Sequence, residues 1–164
     1  MPSPITQGFL SAKGADFRTV SHPEAFTAEQ TAAASHVPGR QLAKTVIVKL
    51  DGQLSMVVVP ATCRLDLESV GRSCGVEQAE LATEVEFRFA FPDCAIGAMP
   101  PLGNLYNLPV YVCSGMARAE TIHFNGGSHT QLVSMLYAEF AELAKPTVID
   151  IACGAADPKC RPIR

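Results

Sequence analysis

The sequence predicts a single α+β domain, and three observations carry that reading. Its 164 residues are 48% hydrophobic, enough apolar material for one core and short of a length that calls for a second. Two β-branched runs, Lys44 to Leu50 and Leu54 to Val59, flank Asp51-Gly52 in the manner of a hairpin. Helix-opening signals lie on both sides of that hairpin. Thr27 is followed three residues later by Gln30, and Thr83 by Glu86, the spacing at which a capping side chain and its partner satisfy each other's backbone amides.

Taken in order, Ile5, Phe9 and Leu10 fall near one face of a short helix over residues 4 to 13, with Gly14 where a left-handed cap would sit. Asp16 to Ser21 reads as a brief strand ahead of the turn at His22-Pro23. The capping box at Thr27 opens an alanine-rich helix to about Ser35, stopped by Pro38-Gly39. For the hairpin, a two-residue Asp-Gly turn pairs Val48 with Ser55, whereas a three-residue loop pairs Val48 with Met56 and Val46 with Val58. The longer loop gives the cleaner apolar face and is the register expected. Pro60 ends the second strand, a helix spans Leu65 to Cys74 before Gly75, and the box at Thr83 opens a short helix to about Phe89.

From Asp93 to Pro109 the periodicity disappears into Ile96-Gly97-Ala98-Met99-Pro100-Pro101-Leu102-Gly103-Asn104. A loop so long and so apolar is expected to be functional. Strands follow at Val110 to Cys113 and Thr121 to Phe124. The turn Asn125-Gly126-Gly127 then leads to a helix expected from about Thr130 to Ala144, with Leu132, Met135, Leu136, Phe140 and Leu143 inward. The domain is drawn at residues 1–146. Residues 147–164 read as a C-terminal tail, with Val148 to Ile151 able to add an edge strand and the last dozen residues loosely held.

Bulk properties exclude several classes. An 18% charged fraction and a mean hydropathy of +0.17 argue against disorder, and no apolar run approaches the roughly 20 residues of a membrane helix. Met1-Pro2-Ser3-Pro4 lacks the basic and apolar regions of a signal peptide, so a cytoplasmic, non-membrane protein is expected. The six cysteines form no CxxC pair and have no histidine at finger spacing, which favours reduced thiols and no metal. A net charge of -3 and a pI near 5.8 disfavour a generic nucleic-acid coat, although Arg40, Lys44, Lys49 and Arg64 offer a local basic patch.

No Walker loop, GxSxG elbow, HExxH or dinucleotide fingerprint is present. Among the scattered histidines His129, after a glycine turn, is the best candidate base, and Glu84, Glu86 and Asp93 are candidate paired carboxylates. Acids at helix starts, however, already favour the helix dipole. Lys44 stands out. It shares a strand side with Val46, Val48 and Leu50, so its ammonium either reaches water along its stem or meets an anionic or carbonyl partner. Gly97 to Gly103 and Asn125-Gly126-Gly127 are turns whose backbone can approach a ligand closely.

Several of these segments occur together in a recognisable order: Ala25-Phe26-Thr27-Ala28-Glu29, Pro38-Gly39 with Leu42-Ala43-Lys44-Thr45, Gly97 to Gly103, Leu108-Pro109-Val110-Tyr111-Val112, and Phe124-Asn125-Gly126-Gly127. Over about residues 20 to 145 the chain resembles the YbaK/EbsC family, the prolyl-tRNA-synthetase-associated domains. The resemblance implies a bent, mainly antiparallel sheet or partial barrel flanked by helices. It also implies an aminoacyl-tRNA deacylase, an ester hydrolase acting in trans on tRNA mischarged with a small noncognate amino acid such as alanine or cysteine. It implies no cofactor, mischarged tRNA as partner, and an aminoacyl-tRNA synthetase as a further one. The family's functional lysine falls on Lys44, and its GxxxP motif on Gly97 to Pro101. Substrate contacts are carried over to Thr45, Gly97, Ala98, Pro101, Asn125 and Gly126. Thr45 departs from the asparagine of some editing members. Such an ester is already activated, so hydrolysis needs a placed water, a polarised carbonyl and a held 3′ end more than a strong nucleophile. The competing class is a non-catalytic module of the same fold that binds nucleic acid or protein.

Overall fold

The computed structural model describes residues 3–151. It opens with α1 (Pro4–Ala12), whose first turn is capped by Ser3 accepting from the Thr6 amide at 3.2 Å, and continues into β1 (Phe17–Ser21). The capping box at Thr27 and Gln30 forms as expected and starts α2 (Ala28–Ser35). The hairpin follows as β2 (Ala43–Leu50) and β3 (Gln53–Pro60). Next come α3 (Leu67–Cys74), capped by Asp66 and closed by left-handed Gly75, then β4 (Ala79–Leu81), which the sequence reading did not anticipate, and α4 (Glu84–Phe87) behind its own capping box. The chain then runs through β5 (Val110–Cys113), α5 (Ser114–Ala117), β6 (Thr121–Asn125), β7 (Gln131–Leu136), α6 (Tyr137–Ala144) and β8 (Thr147–Ile149).

Two sheets form, with strand orders β1-β7-β6 and β4-β2-β3-β5-β8. The first is antiparallel throughout. In the second, β5 runs parallel to both β3 and β8. An isolated bridge between Leu42 and His123 joins the two sheets where β2 begins, so the strands bend round one core without closing a barrel. That core holds Ile47, Met56, Val58, Val112, Phe124, Val133 and Phe140. A second cluster, with Val48, Leu50, Val57, Val59, Val70, Ile149 and Ile151, fills the opposite side of the larger sheet beneath α3. Because side chains alternate along a strand, Lys44 points to the α3 side and Thr45 to the main core.

The expected hairpin register is wrong by one residue: Val48 pairs with Ser55 and Val46 with Val57. Asp51 and Gly52 take φ of +50° and +87°, a two-residue turn whose twist suits the strands it joins. The larger sheet is buried on both faces, so the cleanliness of one apolar face did not discriminate, and the turn chemistry did. The helix expected from Thr130 is also corrected. Residues 131–136 form β7, the central strand of the smaller sheet, and only Tyr137–Ala144 is helical. Leu132, Val133, Ser134 and Met135 are all buried, and a short segment covered on both sides has no alternation to separate strand from helix.

Cys74, Cys94 and Cys113 are free thiols, in line with the expectation. Residues 147–149 join the larger sheet as its edge strand. The expectation that the last dozen residues are loosely held lies outside the described residues. No described helix is long and apolar enough to cross a membrane.

Candidate active site

A cavity of about 550 Å³ opens where the start of β2 meets the loop after α4 and the turn after β6. Its floor and walls come from Ala43, Ile47, Met99 and Phe87, and its polar groups from Thr27, Lys44, Thr45 and Asn125. Four of the residues singled out from sequence therefore meet here: Lys44, Thr45, Gly97 and Asn125. Three do not line it. Ala98 and Pro101 are buried behind the cavity wall, and Gly126 is buried at the back of its turn, where its carbonyl accepts from the Ser3 amide at 2.7 Å.

Lys44 is half-buried, and its Nζ donates to the Cys63 carbonyl oxygen at 2.7 Å. A carbonyl partner is one of the two solutions expected for an ammonium at the rim of an apolar face. It is placed by the Cys63 turn, whose amide in turn bonds the Pro60 carbonyl at 2.9 Å, so the end of the hairpin fixes where the lysine head sits. Lys49, five residues on and on the opposite side of the strand, is occupied differently. It pairs with Glu86 at 2.6 Å and Glu80 at 3.5 Å, so it joins no basic patch with Lys44.

The Gly97 segment is shaped from outside. Gly97 takes a φ of +87°, a conformation that costs an L side chain about 1–2 kcal/mol, and its amide donates to the Met99 thioether at 3.3 Å. The Ala98 amide is used on the Ala95 carbonyl at 3.0 Å, and Pro100 and Pro101 have no N–H to offer. The Gly97 amide is held by a weak acceptor and is exposed at the cavity. Two bonds hold the segment in place: Ala95 N–H to the Gly127 carbonyl at 2.8 Å, and His129 Nε2 to the Ile96 carbonyl at 2.8 Å.

His129 therefore acts as a brace against Ile96, and it does not line the cavity. Two of the three acids considered for a carboxylate pair, Glu86 and Asp93, are engaged elsewhere. Glu86 is drawn down to about 2, first by its hydrogen bond to Lys49 and then by the Thr83 amide that it caps. Asp93 accepts from Ser3 Oγ at 2.7 Å and from the Tyr106 hydroxyl at 3.1 Å. Burial beside that network pushes the Cys94 thiol up to about 11. Asn125 contributes the opposite situation: its side-chain oxygen is buried with no hydrogen-bond partner among the described residues, a costly arrangement unless something else supplies a donor.

Sequence reasoning missed the roles of Phe26, Thr27, Phe87 and Met99. Phe26 and Thr27 belonged to a helix-start motif, and nothing in their spacing announced a cavity. Among the described residues no group of three His, Cys, Asp or Glu side chains is placed to hold a metal ion.

Comparison with known proteins gives this geometry a family. The chain is 28% identical over 149 residues to the multifunctional Ser/Thr-tRNA deacylase ProXp-y of Escherichia coli K12, covering 86% of this chain and 87% of that protein. The crystal structure of a proposed trans-editing enzyme for prolyl tRNA synthetase superposes with a TM-score of 0.79 at 26% identity, over 92% of this chain and 98% of the other. The crystal structure of hypothetical protein APE2540 shares the fold at a TM-score of 0.79 and 23% identity, over 90% and 98%. The model of the aminoacyl-tRNA editing domain matches residues 22–143, and the chain belongs to that family of ester-hydrolysing editing enzymes.

Proposed function

We propose that this protein hydrolyses, in trans, the ester between a small noncognate amino acid and the 3′ end of tRNA, with alanine and cysteine as the first substrates to consider. The carrying observation is that Lys44, Thr45, Gly97 and Asn125, from three separate segments, line one cavity. In this reading water attacks the ester carbonyl carbon. Negative charge develops on the carbonyl oxygen, and the C–O bond to the ribose breaks. The ribose oxygen leaves with a proton as the tRNA hydroxyl, and the amino acid is released. The Gly97 amide is suited to the oxyanion because the thioether that it gives up is a poor acceptor. Lys44, fixed through Cys63, stabilises the same charge or the terminal phosphate. Ala43, Ile47 and Met99 limit the side chain that fits, which is the function of an editing site: it accepts what a synthetase pocket fails to reject.

A second substrate reading has its own support. The polar side chains of Asn125 and Thr45 at the cavity both suit a substrate hydroxyl, and the E. coli relative is named for serine and threonine. The substrate reaches this protein in the cytoplasm from an aminoacyl-tRNA synthetase, and the structural neighbour makes prolyl-tRNA synthetase the first to test.

The experiment is a deacylation panel of tRNAs charged with alanine, cysteine, serine, threonine and proline, run with the wild type and Lys44→Ala. Cleavage of a small-residue ester faster than buffer is expected, with a loss on the order of 100-fold in the variant, the size typical of removing one preorganised oxyanion donor. Binding of tRNA without turnover of any ester returns the protein to the binding-module class. Full turnover by Lys44→Ala removes Lys44 from the site.

A further inference from the structure

Phe26 is the feature of the cavity that the deacylation chemistry leaves unexplained. It stands at the mouth with 63% of its surface exposed, immediately before the capping box of α2, where an apolar ring of that size gains nothing from water. It is nevertheless held. The His129 ring lies 4.9 Å from it, centroid to centroid, inclined at 56°. His129 is itself fixed by its bond to the Ile96 carbonyl at 2.8 Å and lies 3.5 Å from where a Cβ on Gly97 would be. Gly97, His129 and Phe26 thus form a layered wall, from the proposed oxyanion donor out to the solvent, with the Phe26 ring as its open outer face.

We infer that Phe26 is the stacking platform for the terminal adenine of the tRNA 3′ end, a positioning residue that places the ester over Gly97. This rests on the deacylase reading above. An aminoacyl ester sits on the ribose of the last nucleotide of a single strand, so whatever binds the amino acid in the cavity brings one unpaired base to its mouth. A base there has a π-face and no complementary strand. An exposed aromatic ring backed by a second ring satisfies it without reading its identity. This also suits an acidic chain. With a net charge of -3 the chain as a whole does not attract phosphates, and stacking is a source of affinity that needs no basic surface.

The test compares Phe26→Ala, Phe26→Leu and Phe26→Trp on the ester that the wild type cleaves, with no synthetase present. Phe26 is exposed, so these variants fold. The alanine and leucine variants are expected to raise KM about 10-fold, within the range of one base–aromatic stack, with kcat changed far less, and tryptophan is expected to restore KM. A CCA-ended RNA hairpin with 2-aminopurine as its last base supplies a spectroscopic signature. Its fluorescence is expected to fall on binding the wild type and the Trp variant, and to stay high with the Ala and Leu variants at saturating protein. An unchanged KM in Phe26→Ala, or equal quenching by that variant, overturns the platform. Recovery by leucine also overturns it, since that makes the contact merely apolar. A wild type that cleaves no ester fails the deacylase reading instead, and the two failures are told apart by that single control.

Discussion

The segment between α4 and β5 contains two halves that look alike in sequence and do opposite things. Ala95 to Gly97 lies at the surface, where Ile96 is 40% exposed and Gly97 faces the cavity. Ala98 to Gly103 is buried without a break. Each half has one glycine, and each glycine is required for a different reason. Gly97 is needed for its backbone angle, with a φ of +87° and only an ordinary 3.5 Å contact awaiting a Cβ. Gly103 is needed for space: a Cβ there would run into the Leu108 carbonyl oxygen, backbone that cannot swing aside. The buried half is an anchor built into the core through Met99 and Leu102, and the exposed half is the piece that it holds out to a substrate.

The largest effect expected from breaking this contrast is Gly103→Ala. Overpacking against fixed backbone costs about 3 kcal/mol, which for a chain of this size lowers Tm by roughly 6–12 °C. Deacylation is expected to fall only in proportion to the folded fraction, because nothing at the cavity has changed. Thermal unfolding and the specific activity of the folded protein check this together. Gly97→Ala is the converse and smaller in stability. Strain of about 1 kcal/mol is expected in the melt, with activity down by about 100-fold, since a displaced catalytic amide loses far more rate than the fold loses energy. If the two variants show the same ratio of activity loss to stability loss, the division of the segment is mistaken.

This division explains what was legible in the sequence. Local chemistry was readable: both capping boxes, the left-handed cap at Gly75, the hairpin and the edge strand β8 follow from residues within a few positions of one another. β7 was not readable, because burial on both faces erases alternation, whereas the register was misjudged by weighing apolar faces above the Asp51-Gly52 turn chemistry that settles it. The site divides the same way. Lys44 announced itself as a cation on an apolar strand side, and the glycines announced a turn. The chain gave no sign that His129 would brace Ile96 across a separation of 33 residues, or that Phe26 would reach the same wall. Ala98 and Pro101 lie in the right motif and on its buried side, a distinction that depends on which half of the segment enters the core.

The smallest expected effect concerns what pins the other wall of the cavity. Phe87 ends α4, and α4 is tied to β2 by the Lys49–Glu86 pair at 2.6 Å, with the Glu86 carboxylate also accepting from the Thr83 amide at 2.9 Å. Both bonds favour the charged carboxylate, which is why its pKa falls from 4.5 to about 2. The folded state therefore holds the Glu86 proton less tightly than the unfolded chain does. The stability that this contributes is complete above pH 4.5 and is lost as pH falls through 2. Glu86→Gln keeps an acceptor for the Thr83 amide and loses the charge. Its Tm is expected to sit slightly below that of the wild type by a constant margin above pH 4.5, and the margin is expected to close as pH approaches 2. The pair is partly solvent-exposed, so salt should shrink the same margin at neutral pH. A gap that persists undiminished at pH 2 means that Glu86 holds α4 through its shape and not its charge, leaving the cavity wall indifferent to acid.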